Sequence, residues 1–231
     1  MPAAKRARTK PAAARFGGFD RGLPRYLASL EANNEKAWFE AHREEYERLY
    51  LEPANAFSAA ILPKLARLGR SAPQAGGLMR IYRDTRFSKD KTPYKTALHL
   101  RFASDKMSPA LMFRITRSSL GVATGCFGFD PKQLARYRKA LGDPKALQAL
   151  RSAITKVEKS GYALPEPHLA RIPRGFDADH PAGELLRRKG LSLGGDRPLP
   201  AELFGPKAVD TIVARFRELM PVHDWLSAHV H

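Results

Sequence analysis

Cysteine is nearly absent: Cys126 is the single one in 231 residues, so no disulfide can form within the chain. It sits in an apolar stretch, where a small buried hydrophobe is the expected reading and a nucleophile the alternative. Long apolar runs are missing too. None nears the roughly 18 residues that a membrane span requires, and residues 1–19 lack the apolar middle of a secretory signal. A cytoplasmic protein without membrane association is therefore expected. Acidic residues are scarce: 23 Asp and Glu face 40 Lys and Arg, a formal charge of +17, and no acid precedes Asp20. The phosphate loop GxxxxGK followed by Ser or Thr, the dinucleotide GxGxxG after a strand, the GxSxG elbow and CxxC are all absent, which argues against enzymes of those designs.

What is present folds readily. Charged residues are 27% and hydrophobic ones 43% of the chain, ordinary globular usage. The segment MPAAKRARTKPAAAR holds five of the 17 net charges and reads as part of a disordered basic tail over residues 1–18. A single α+β domain is expected over 19–231. Leu23, Tyr26, Leu27 and Leu30 form one helical stripe. A second helix is expected from Asn33 or Asn34 as cap, with Phe39, His42, Tyr46 and Leu49 on one side. A third carries Phe57, Ile61, Leu65 and Leu68, with Pro63 as a kink. After Gly77 the period becomes two. LMRIYR, ALHLRF (97–102), ALMFRITR (110–117) and LGVATGCFG (120–128) read as an antiparallel sheet of about four strands with one apolar face. Helices return at Pro131, at Asp143, from Pro181 to Gly190, and through Val209–Met220, with Pro221 expected to reset the last; LSL is a candidate edge strand.

One segment stands apart. RIYRDTRFSKDKTPYKT, residues 80–96, holds six cations and two acids between two strands. Arginine forks match phosphate or carboxylate, lysine adds point charge, and loops on rigid scaffolds are where binding groups are placed. Arg80, Arg83, Arg86, Lys91, Tyr94 and Lys95, joined by Arg101 and Arg114 from the polar sheet face, are the candidate ligand-binding residues. Gly121, Ala123 and Gly125 would leave room above that face. Arg83 and Arg86 would be the clamps, with Asp84 and Asp90 orienting them. The competing reading is a salt-bridge network that holds the fold.

The motif Arg80, Arg83, Asp84, Arg86, Phe87, Asp90, Lys91 and Tyr94 resembles the signature of the domain of unknown function 2461 family. The resemblance extends to NNEKAWFEAHREEYE, PRGFDADHPAGELLRRKG and PVHDWL, over roughly residues 16–229. It implies a bacterial protein of about this length and brings no activity with it. An anionic small molecule or a nucleic acid is the expected partner. In an enzyme reading, Asp84, Asp90, Tyr94 or His180 would transfer protons while the arginines stabilise charge. The sequence points to no particular cofactor, and no metal is expected: His42 and Glu45 read as a helix-surface pair. Asp179 and His180 also suit a helix cap, and Trp225 and Leu226 beside His223 and Asp224 suit core packing.

Overall fold

Apolar periodicity builds the layers. In the computed structural model, which describes residues 16–231, α1 (Leu23–Ala32) buries Leu23, Tyr26, Leu27 and Leu30. The expected second helix is broken into α2 (Lys36–Ala41) and α3 (Arg43–Tyr46), followed by a π-helical turn at Glu47–Leu51. Its cap is Glu35 rather than an asparagine, because the Asn34 side chain is engaged elsewhere. The π turn inserts a residue, so Leu49 and Tyr50 both face inward and the Tyr50 hydroxyl donates to the Ala97 carbonyl at 3.1 Å. In α4 (Glu52–Leu65), Pro63 falls in the last turn and Leu68 lies beyond the helix.

The sheet is antiparallel as expected and has five strands, close to the expected number of about four. β1 (Gly76–Leu78), β2 (Leu98–Phe102), β3 (Ala110–Ile115), β4 (Ser119–Cys126) and β5 (Leu191–Pro198) form an antiparallel meander in chain order. LSL opens an eight-residue edge strand. LMRIYR is not a strand: β1 ends at Leu78, and Tyr82 pairs with Tyr94 instead of with the sheet. Leu98, Leu100 and Phe102 share the apolar face with Leu111, Phe113 and Ile115, and α4 and α8 (Ala208–His229) cover it. Alternation puts His99, Arg101, Met112, Arg114, Gly121, Ala123, Gly194 and Asp196 on the other face.

α5 (Pro131–Leu141) begins with a capping box between Asp130 and Gln133, and α6 (Pro144–Lys159) with the Asp143 side chain. α7 (Gly183–Leu186) is only four residues. It starts after Pro181, because the His180 Nδ1 accepts the Ala182 N–H and holds a turn there. α8 runs through Pro221 without resetting, held by the buried Met220, Val222, His223, Trp225 and Leu226 around it. Residues 1–15, most of the expected tail, lie outside the described residues. Phe16, 9% exposed, packs edge-on against Phe19 and Phe57, so the folded body starts ahead of the expected boundary at 19. One hydrophobic cluster spans the described residues from Phe16 to Val230. No helix among them is long and apolar enough to cross a membrane.

Buried His223 ties α8 to the sheet. Its Nε2 donates to the Ser71 carbonyl at 3.0 Å, and its Nδ1 accepts from the Thr124 hydroxyl at 3.1 Å. Burial pushes its pKa below the usual 6.5, against the pull of the Ser71 carbonyl and Asp224. The fold therefore favours the neutral ring. Its contribution is complete above the unfolded value and declines as pH falls below 6.5 towards the folded one. Thermal melts from about pH 7.5 to 5 should show a midpoint that is level and then falls. His223→Gln should flatten that fall, although His99 contributes in the same direction; an unchanged slope in the variant would assign the effect elsewhere.

Candidate functional site

The cationic segment folds back on itself. Between β1 and β2 the Tyr82–Tyr94 bridge, the Arg83 N–H on the Pro93 carbonyl (2.8 Å) and the Lys95 N–H on the Ile81 carbonyl (2.8 Å) close the base of a loop. Ile81 and Tyr94 are buried and anchor it. Tyr94 stacks on Phe39 with ring centroids 4.2 Å apart. Its backbone is gripped by Asn34, whose amide nitrogen donates to the Tyr94 carbonyl (2.9 Å) and whose oxygen accepts the Tyr94 N–H (3.0 Å).

Most of the loop's charges are used inside the loop. Arg83 donates to the Asp90 carboxylate and to the Thr92 hydroxyl. Arg86 makes a two-pronged pair with Asp84, at 2.9 and 2.7 Å. Lys91 donates to the Thr85 carbonyl and Lys95 to the Arg80 carbonyl. The Thr92 N–H, helped by Arg83 and the Thr92 hydroxyl, pulls the Asp90 pKa down to about 2. Asp84 is lowered chiefly by its bonds from Arg86. Neither carboxylate is poised to take a proton near neutral pH.

Where the loop meets the open sheet face there is a recess of about 500 Å³. Glu31 of α1, Asn34 just after that helix, Arg83, Asp90 and residues 92 and 94–97 of the loop, His99 of β2, Arg114 of β3 and Thr116 just after that strand line it. Of the residues that sequence reasoning singled out, Arg83, Asp90, Tyr94, Lys95 and Arg114 converge there. Arg80, Asp84, Arg86 and Lys91 belong to the loop but not to the lining. Arg101 turns instead to the carbonyls of Lys106 and Ser108, both at 3.2 Å, and closes the β2–β3 connection. His180 stays in its own turn, edge-on to Phe176. The space expected over Gly121 is occupied: the Arg114–Asp196 ion pair (3.2 and 2.5 Å) lies across it, and a Cβ there would collide with both side chains.

His99 lies opposite Arg114 on the open face and was not among the candidate residues. Its Nδ1 lies 3.0 Å from the Ala97 carbonyl, which can only accept, so Nδ1 carries the proton. Nε2 is then an unprotonated acceptor without a protein partner among the described residues. Burial lowers the His99 pKa, with Lys95 and Arg114 adding repulsion. Lys95 is likewise lowered, by burial first and then by Arg80. Arg83 has Asp90, Arg114 has Asp196, and Glu31 has Arg117 at 3.2 Å. Among the described residues Lys95 is the cation of the lining with no carboxylate partner. No three His, Cys, Asp or Glu side chains among them gather as a metal site would need.

A family model described as conserved hypothetical protein (DUF2461) matches residues 23–225. The chain belongs to the DUF2461 family. Comparison with curated proteins and with solved structures returned no match. The DUF2461 match encloses the whole loop and recess, so both are parts of the family domain, and what they do rests on their own chemistry.

The Arg83–Asp90 ion pair braces the loop beyond its buried base. Arg83→Ala removes the donor shared by Asp90 and Thr92. Trypsin is expected to cut faster at Lys89 and Lys91, with little loss of global stability because the pair is largely exposed. Unchanged cleavage would show that the buried anchors alone hold the loop.

Proposed function

We propose that the recess between the cationic loop and the open sheet face binds an anionic, phosphate-bearing ligand. Lys95 carries the reading. The residue is half-buried, its ammonium is partly shielded beside Arg80 and His99, and it has a lone backbone carbonyl as hydrogen-bond acceptor among the described residues. A partly desolvated charge with no counter-charge carries some cost, and an anion in the recess offsets it. Arg83 and Arg114 each retain donor capacity beyond their aspartate partners, and Thr92, Thr96 and Thr116 bring hydroxyls. In this reading Asp90 and Asp196 hold the two forks in place, while Arg80, Arg86 and Lys91 add to the attractive field from the rim.

A thermal-shift series with pyrophosphate, nucleotides and sugar phosphates tests it. A ligand at about 100 times its Kd adds about 2.7 kcal/mol, a rise of roughly 5 to 11 °C at this size. Lys95→Met keeps the stem and removes the charge. It should weaken binding about 10- to 150-fold, the worth of a charged hydrogen bond, without lowering the melting point of the free protein. Equal shifts in wild type and variant would sink the reading.

His99 supplies a second handle. An anion favours the imidazolium, so the affinity for sulfate, whose own charge is constant, should rise as pH drops below 6.5 through the depressed His99 pKa. His99→Gln should remove that rise. The same residue supports a second reading, an enzyme acting on phosphate esters, because an unprotonated Nε2 is the group in the recess best fitted to accept a proton. Turnover of a phosphate ester that disappears in His99→Gln while binding persists would favour catalysis over binding alone.

A further inference from the structure

Phe87 is 96% exposed at the tip of the loop, and Tyr82 at its base is 49% exposed. Of the five large hydrophobic residues exposed among the described residues, Met79, Tyr82 and Phe87 fall within nine consecutive positions. Isolated exposed apolar side chains are ordinary; an aromatic that touches so little, set among cations, is not. The Arg86 guanidinium lies 5.8 Å from the Phe87 centroid, held there by Asp84. Arg80 and Lys89 are exposed, and neither forms a salt bridge among the described residues.

Three kinds of partner present an anionic surface or cover an aromatic. A second copy of the chain brings another +17 and another cationic loop, so like charges would face each other. A bilayer accepts an aromatic tip, but its headgroup plane makes no use of a recess walled by α1, β2 and β3 and lined with threonines. A single-stranded nucleic acid uses both. Its unpaired bases have free faces to stack, its phosphates repeat along the chain, and its sugars and base edges carry hydrogen-bonding groups. A duplex has its base faces already stacked.

We propose that this loop binds single-stranded nucleic acid, with an unpaired base stacked on Phe87 and neighbouring phosphates running along Lys89 and Arg80 to Lys95 in the recess. The phosphate at Lys95 rests on the function proposed above; the base on Phe87 does not. Arg83 and Asp90 flank the tip and also line the recess, so one strand can meet both features.

Fluorescence anisotropy of the full chain with labelled oligo(dT) and oligo(rU) of about twelve nucleotides tests the proposal. Phe87→Ala is expected to weaken binding about 5- to 150-fold, with an unchanged melting point and an unchanged salt dependence. Phe87→Trp should restore it. Lys95→Met should make the slope of log K against log salt shallower by about 0.7. Equal affinity of Phe87→Ala and wild type would overturn the proposal and leave charge-only adsorption. Duplex bound as tightly as single strand would also overturn it, as would capture by phosphatidylserine vesicles with no oligonucleotide binding. Small phosphates that still bind through Lys95 in that event would leave the recess reading standing. Sensitivity to Phe87 with none to Lys95 would keep the stacking contact and remove the recess from it.

Discussion

The recess exists because Asn34 holds Tyr94. Two hydrogen bonds from one side-chain amide to one residue's backbone imitate a strand partner at the corner between α1 and α2. They satisfy an N–H and a carbonyl that would otherwise be half-sealed without partners. Stacking of Tyr94 on Phe39 fixes the depth of the contact, and the Tyr82–Tyr94 bridge passes the position on to the rest of the loop. Everything beyond that bridge is local. The tip is braced by its own ion pairs, which are largely exposed and individually worth little. The geometry of the base is therefore set by burial, and that of the tip by weaker, exposed contacts.

The apolar layer was legible because alternation is a strong signal. Leu98, Leu100 and Phe102 against Leu111, Phe113 and Ile115 leave one choice of inward face, and that choice placed His99 and Arg114 on the open side. The stripes of α1 and α8 were legible for the same reason. What could not be read depended on partners distant in sequence. Asn34 reads as a helix cap until Tyr94, sixty residues away, is seen to need it. LMRIYR alternates like a strand, yet Tyr82 finds its partner inside the loop. The π turn leaves no pattern in composition, and Pro221 is tolerated because tertiary packing outweighs the loss of one helical hydrogen bond.

The candidate site was half legible. The density of cations in RIYRDTRFSKDKTPYKT marked the loop, but charge type does not tell which cations are already neutralised by neighbours. Arg86 was an obvious clamp by composition and is paired with Asp84 two residues away. Lys95 was one lysine among several and is the one left without a carboxylate in the recess. Asp196 could not be linked to Arg114 without knowing that β5 lies beside β4 across Gly121. The small residue in the sheet makes room for an ion pair, so the open recess lies nearer the loop than the glycine pattern suggested.

These pairings bear on what the proposed site would select. Arg83 and Arg114 are partly neutralised, so they contribute direction more than net charge. Lys95 supplies the uncompensated charge, and His99 supplies an acceptor where every neighbouring basic group is a donor. A fully ionised oxyanion can satisfy the donors but leaves Nε2 without a proton to accept. A ligand with a phosphate and an adjacent hydroxyl satisfies both. That combination occurs in nucleotides and sugar phosphates and is missing from sulfate. It thus separates a recess built for a biological phosphate ester from one that only gathers anions.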